Sequence, residues 1–354
     1  MSHTSYAIWN NKGGVGKSTI TFHLALRVAE RCPNKKVLVI DLCPQANASM
    51  MLLGGGVIGE KTVLDFCTQP TPMTVVGYLS EVISGGERAP LPNLDHFIKN
   101  VNDYNKNIPK NVYLLCGDGN LEPMAPAITM AANAPKLTPV SNPWSWVHTI
   151  FKRLIEEFSK ESDVIAFVDT NPSFSVYTEL AVSSAEKLIV PVNADDSSRI
   201  AANAMFVLLH GTNPPHPVYG QWTYAEKAKA HSVQVPSVHL VVGNRLTQYA
   251  GAAAAYQALS DATAGILFKA FKSDPSYFSP PMSVIDSIDD FRNEYSVSLR
   301  DFNTAGVVSS HIGNSINNMR QGYYTVHSHN VKVNADQIQE ALKALDIIVD
   351  KLVL

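Results

Sequence analysis

Short, unbroken apolar runs alternate along this chain with longer stretches in which apolar residues recur at helical spacing. Tyr6-Ala7-Ile8-Trp9, Val37-Leu38-Val39-Ile40, Val164-Ile165-Ala166-Phe167-Val168, Leu188-Ile189-Val190 and Leu240-Val241-Val242 are such runs. They read as strands buried on both faces, the pattern of a parallel sheet covered by helices. After the first run, Ile20, Leu24 and Val28 recur at the period of a helix. Near the C-terminus, Ile338, Leu342, Leu345, Val349 and Leu352 fall on one helical face within Asp336 to Leu354.

The segment between the first strand and the first helix carries the chemistry. It reads Asn10-Asn11-Lys12-Gly13-Gly14-Val15-Gly16-Lys17-Ser18-Thr19. The generic phosphate-loop pattern, G-x-x-x-x-G-K-[ST], would need glycine at Asn11, so a variant form, K-G-G-x-G-K-[ST], remains. Glycines let successive backbone N–H groups converge on phosphate oxygens, and the helix that follows adds its positive end. In this geometry Lys17 reaches the β- and γ-phosphates and the Ser18 hydroxyl ligates Mg²⁺.

Lys12 to Thr19 resembles the deviant Walker A motif of the ParA/MinD group of P-loop ATPases. The implied fold is α/β, a P-loop NTPase with a doubly wound, mostly parallel sheet flanked by helices. The resemblance implies ATP and Mg²⁺ as cofactors, bound through Lys12, Gly13, Gly14, Val15, Gly16, Lys17, Ser18 and Thr19. It also implies that Lys12 crosses a two-fold axis to the partner's nucleotide, making the active form an ATP-sandwich homodimer. A cation supplied in trans offsets charge on the transferred phosphoryl group.

Two later segments extend the resemblance. Asp41-Leu42-Cys43-Pro44-Gln45-Ala46-Asn47 resembles the family's D-x-D-P-Q-x-N segment, and Val164 to Asp169, followed by Asn171-Pro172, its Walker B strand and switch. Asp41 and Asp169 end strands, where open α/β sheets bind ligands. With Ser18 they form the implied metal set; Lys12, Lys17 and Asp41 form the implied catalytic set. Taken singly, either aspartate reads equally as a helix cap or loop carboxylate. Asn244 ends the strand from Val238 and is implied to read the adenine edge, the alternative being an ordinary turn residue.

Cys43 departs from the family pattern, which has a second aspartate before the proline. A thiol is a poor acceptor from an attacking water. Slow or partner-dependent hydrolysis is the expectation, with water placed by backbone or by Asp195 or Asp196; ATP binding without turnover is the alternative.

With 354 residues, 45% hydrophobic and 17% charged, the chain can bury a full α/β core. One domain over 1–354 is expected, with 54–145 rich in insertions, although Asn111 to Gly119 inside it reads as another strand, and with 255–354 completing the same domain. Cys32, Cys43, Cys67 and Cys116 show neither C-x-x-C spacing nor a disulfide framework, which points to the cytosol. Only Cys116 is a candidate for an iron–sulfur role, and it reads as a strand residue. No signal sequence or membrane-length apolar run is seen, and no operator-binding region is expected before the P-loop. The acidic residues on the C-terminal helix favour docking on the core over membrane targeting.

The primary functional reading is a partition ATPase that binds DNA non-specifically and segregates plasmid or chromosomal DNA with a ParB-like adaptor, in the cytoplasm on the nucleoid. A positioning or regulatory switch for a protein assembly, with little turnover because of Cys43, is the alternative; a metabolic enzyme ranks third. A net charge of −3 requires a local basic patch for DNA, with Lys269, Lys272, Arg292, Arg300 and Arg320 as candidates.

Overall fold

The computed structural model describes residues 1–212, 217–244, 253–299 and 303–352. Eight strands form one sheet: β1 (His3–Ile8), β2 (Lys36–Leu42), β3 (Ile98–Asn100), β4 (Val112–Leu115), β5 (Val164–Thr170), β6 (Lys187–Asn193), β7 (Ser237–Asn244) and β8 (Ser296–Ser298). Their order is β3-β4-β2-β5-β1-β6-β7-β8. All neighbouring pairs are parallel except β3 with β4. The direction in which the chain winds out from β1 reverses there, with β2 to one side and β6 to the other, and this leaves a crevice at the C-terminal strand ends.

Alternate strand residues feed two cores. Ala7, Leu38, Ile40, Ala166 and Val168 point to one side, and Tyr6, Ile8, Val37, Val39, Ile165 and Phe167 to the other. This is the period-two pattern of a sheet covered on both faces. It explains why the central runs are apolar without interruption.

The helix Lys17–Arg31 buries Ile20, Leu24 and Val28 on the second face. The helix Ala335–Lys351 packs beside it and buries Ile338, Leu345 and Val349, with Leu352 buried just beyond. Arg27 donates from Nε and Nη2 to the two Asp346 oxygens, each at 2.8 Å, and Arg31 reaches Asp346 and Asp350. The apolar stripe of this helix is therefore a docking face, and its acidic side answers the arginines of the P-loop helix. No helix of the described residues is long and apolar enough to cross a membrane.

The 54–145 segment is mainly helical and contributes β3 and β4 to the same sheet. The last part adds β8 and a two-stranded hairpin, β9 (Gly322–Val326) and β10 (His329–Val333). Buried Asn105 ties the two parts together, donating to the Leu52 carbonyl at 2.8 Å and the Gly313 carbonyl at 2.7 Å.

Candidate functional site

β1 delivers the chain to the crevice, where Asn10 donates to the Pro191 carbonyl at 2.6 Å. Gly14 and Gly16 take left-handed φ values of 72° and 86°, which glycine adopts without steric cost. Gly16 caps the helix that starts at Lys17 and has no side chain to satisfy the first N–H groups, so these remain directed into the crevice. Lys17 is buried, and its ammonium donates to the carbonyls of Lys12 at 2.8 Å and Asn10 at 3.3 Å. Burial lowers its pKa to about 8, while Asp169 and Cys43 act in the opposite direction.

Lys12 turns toward the same chain. Its ammonium pairs with the Asp195 carboxylate and lies 3.5 Å from the Ser198 hydroxyl. Asp195 is the N-cap of the helix Asp196–His210, accepting from the Ser198 N–H at 2.7 Å. Partial burial raises its pKa, but the hydrogen bonds from Lys12 and Ser198 outweigh this and leave it below the usual value.

Asp41 and Asp169 lie side by side in register on β2 and β5 and are fully buried. Their environments differ. Asp41 accepts from the Ser49 N–H at 2.9 Å, the Ser49 hydroxyl at 2.7 Å and the Cys43 N–H at 3.1 Å, so it fixes the turn after β2. A side chain at Gly117 would meet the Asp41 carboxyl carbon at 2.9 Å, which packs β4's exit against the same group. Asp169 accepts from the Thr21 hydroxyl at 3.0 Å through Oδ1, whereas its buried Oδ2 has no hydrogen-bond partner. Burial and neighbouring Asp41 raise its pKa to about 7 against the opposing pull of Ser18, Thr21 and Lys17.

Cys43 is buried beside both aspartates. Burial first, then the two carboxylates, push its thiol up to about 12, so it is a neutral, inert thiol at physiological pH. Asp195 is engaged by Lys12 and by its own helix, as described above. Asp196 lies 3.6 Å from Arg199.

Lys17 and Cys43, with Thr170 and Pro172, line a cleft of about 810 Å³ that runs past Gln45, Asn47, Met50 and Met51 to Val57, Glu60, Val307, Ser310, His311 and His327. The volume lies in the range of small-molecule sites. Gly13, Gly14, Gly16, Lys17, Ser18 and Thr19 are all in its lining, whereas Asn244 ends β7 and its side chain falls outside the described residues. The residues beyond Met50 were invisible to motif reading, because they come from the helix after a glycine-rich turn, a late helix and a hairpin tip.

The expected basic patch does not form as a unit. Arg292 pairs with Asp261 and, at 3.4 Å, with Asp289. Lys272 donates to the Ile285 carbonyl at 3.0 Å. Lys269 lines a separate groove of about 450 Å³ together with Arg199, and Arg300 lies outside the described residues. Arg320 sits apart from them, before the hairpin, where its backbone bonds the Tyr324 hydroxyl.

A glycine loop between a strand and a helix, set at the reversal point of a parallel sheet beside two buried carboxylates, defines a P-loop nucleoside-phosphate-binding protein. The AAA_31 family, an AAA domain, matches residues 4–206, and the chain belongs to it as a ParA/MinD-like P-loop ATPase. Among its relatives is the cell division protein PomZ of Myxococcus xanthus, 30% identical over 195 residues, or 55% of this chain. The chain spans about half the length of that curated relative, 48%. The solved structure of apo McdA from Cyanothece is similar at 13% identity and TM-score 0.56, covering 98% of this chain and 99% of McdA. A plasmid partition protein from Borrelia burgdorferi bound to AMPPNP is similar at 15% identity and TM-score 0.52, covering 99% of this chain and all, 100%, of that one. These two likenesses concern the fold.

Proposed function

We propose that this chain is an ATP- and Mg²⁺-dependent partition ATPase whose ATP-bound homodimer binds DNA without sequence preference and segregates a DNA cargo with a ParB-like adaptor. The observation that carries this reading is the P-loop held open beside Asp169, with a second lysine, Lys12, at its mouth. A monomeric P-loop enzyme has no need of that lysine.

The residues fit a hydrated Mg²⁺. The unpartnered Asp169 Oδ2 is an acceptor waiting for a donor, and a metal-bound water supplies one. Ser18 would ligate the metal and Asp169 hold its water. Asp41 would act through its neighbours, since Ser49 and Cys43 already occupy its oxygens. Bound there, the metal neutralises phosphate charge. Lys17 is positioned to leave the loop carbonyls for phosphate oxygens, and Lys12 to leave Asp195 for the partner's nucleotide.

The second reading is a positioning switch for a protein assembly. Its support is the similarity to a cell division protein and the inert thiol at position 43, which favours slow turnover.

Sedimentation with ATP and Mg²⁺ tests the dimer. Wild type should sediment as a dimer, and Lys12→Ala should bind ATP yet stay monomeric. A wild type that stays monomeric at saturating ATP contradicts the proposal. Retention on random-sequence duplex at low salt then separates the two readings, because a dimer that ignores DNA favours positioning.

A further inference from the structure

Two stretches of this chain carry no acidic residue, Tyr104 to Gly117 and Phe302 to Ala335. Folding packs them against each other. Asn105 donates to the Gly313 carbonyl at 2.7 Å, and the Asn318 amide donates to the Asn107 carbonyl at 3.2 Å. Their cations are Lys106 and Lys110, in the connection from β3 to β4, and Arg320 and Lys332, around the β9–β10 hairpin. All four are exposed, and none joins an ion pair among the described residues. Lys272 and Arg292, by contrast, are held by the Ile285 carbonyl and by Asp261.

The hydrogen bonds that shape this surface are made by asparagines and a tyrosine, which leaves the cations free. Asn102 donates to the Ile108 carbonyl at 2.7 Å, Asn105 accepts from the Asn107 N–H at 3.1 Å, and Asn100 donates to the Lys110 carbonyl at 2.8 Å. The Tyr324 hydroxyl clamps the entry to the hairpin, accepting from the Arg320 N–H at 3.0 Å and donating to its carbonyl at 2.8 Å. Strand alternation then buries Val333 and packs Tyr324, Val326 and Val331 on the core, while Tyr323, Thr325, Asn330 and Lys332 stay exposed. Tyr323 lies opposite Lys332, and Thr325 opposite Asn330. The outer face of the ribbon is thus hydroxyl, amide and ammonium groups without a carboxylate. The acids next in the chain, Asp103 and Asp336, end the two stretches, and Glu30, which accepts from Ser315, is also paired with Arg27.

We propose that the β9–β10 ribbon and the β3–β4 connection form the surface on which duplex DNA lies, with Lys106, Lys110, Arg320 and Lys332 on its phosphates. This rests on the partition reading of the chain. Phosphate contacts supply sequence-neutral affinity through cations, and a cation already engaged has to give up its partner first. Amide and hydroxyl donors such as those of Asn330, Thr325 and Tyr323 contact phosphate and sugar without reading sequence, and a two-stranded ribbon fits a groove of B-DNA. A homodimer carries two such surfaces, which act together through effective concentration. The place differs from the one expected from the sequence: Lys106 and Lys110 precede β4, toward one edge of the sheet, whereas Arg292 leads into β8 at the other.

Interferometry of the full chain on an immobilised random-sequence duplex, with Mg²⁺-ATP and across a salt series, tests this. Lys106→Ala, Arg320→Ala and Lys332→Ala together should weaken binding at low salt by roughly tenfold or more and flatten the salt slope by about one for each cation removed. Lys106→Arg, Arg320→Lys and Lys332→Arg together keep the charges and should keep the slope. ATP affinity, read by calorimetry, should stay at the wild-type value in both variants. The proposal is overturned if wild type binds duplex and the alanine variant keeps its slope, which leaves DNA binding itself standing. A charge-conserving variant that loses as much as the alanine one, or a parallel loss of ATP affinity, would mark a structural effect and overturn it too. So would a loss by the alanine variant on phosphatidylglycerol vesicles with none on duplex. A wild type that ignores duplex even at low salt overturns both this surface and the partition reading.

Discussion

Lys12 and Asp195 are joined across the mouth of the P-loop, the ammonium on one carboxylate oxygen and the Ser198 N–H on the other. The Lys12 charge is thus neutralised within its own chain. For Lys12 to act on a partner's nucleotide, as we propose, dimerisation has to break this pair. Asp195→Asn keeps an acceptor for the helix cap but removes the anion that holds Lys12. We expect its ATP-dependent dimer to form at several-fold lower protein concentration than wild type, as read by sedimentation across a concentration series. An unchanged midpoint would mean that Lys12 release contributes nothing to assembly.

Replacing Cys43 by Asp tests the missing acid. The burial and the two carboxylates that push the thiol up to about 12 would act on a new carboxyl as well. The variant should therefore lose about 2 kcal/mol of stability without nucleotide, recover part of it with Mg²⁺-ATP, and release phosphate faster. Thermal melts with and without nucleotide, alongside steady-state phosphate release, check this. A flat rate would place the attacking water on another group.

Two glycines with similar backbones separate conformational from packing cost. Gly14 has φ 72° and open space around a would-be side chain, whereas Gly55 has φ 67° and the His311 carbonyl in the way. Gly14→Ala should cost about 1 kcal/mol and Gly55→Ala about 3 kcal/mol or more. Urea melts of the two variants give the comparison. Equal costs would show that the turn can yield around His311.

How much of this was legible in the sequence follows from how each feature is encoded. Lys12 to Thr19 and the strands ending at Asp41 and Asp169 are contiguous, and the apolar runs match β2 and β5 within two residues and β1 within three. The sequence also showed the C-terminal stripe as a helical face but not its partner, because the Arg27–Asp346 pair spans most of the chain. The unequal roles of Asp41 and Asp169 were hidden for the same reason: Ser49 occupies one carboxylate, and nothing in the local sequence says so. His311 and His327 belong to no motif, and only folding brings them together, with His311 against Gly55. Arg292 looked like a free surface cation until Asp261 and Asp289 were found beside it.

The helix pair predicts a pH dependence. Hydrogen bonds from Arg27 hold Asp346 below its ordinary pKa of 3.8, against a smaller effect of burial. A depressed carboxylate contributes stability that is present above the unfolded pKa and lost as pH falls through the folded one. Asp346→Ala should cost about 1 to 2 kcal/mol at neutral pH, and the gap from wild type should narrow as pH falls below 3.8 and through the lowered folded pKa. A gap that persists in acid would assign the effect to packing.

The central claim, that the glycine loop binds a nucleoside triphosphate, is tested most directly by titrating Mg²⁺-ATP into wild type and Lys17→Ala in a calorimeter. Lys17 is held by the loop's own carbonyls and is placed to exchange them for phosphate oxygens. The account predicts saturable binding by wild type and a loss on the order of 100-fold in the variant, the scale of losing charge-assisted hydrogen bonds to phosphate. Equal affinity in the two proteins, or no binding by wild type, would contradict it.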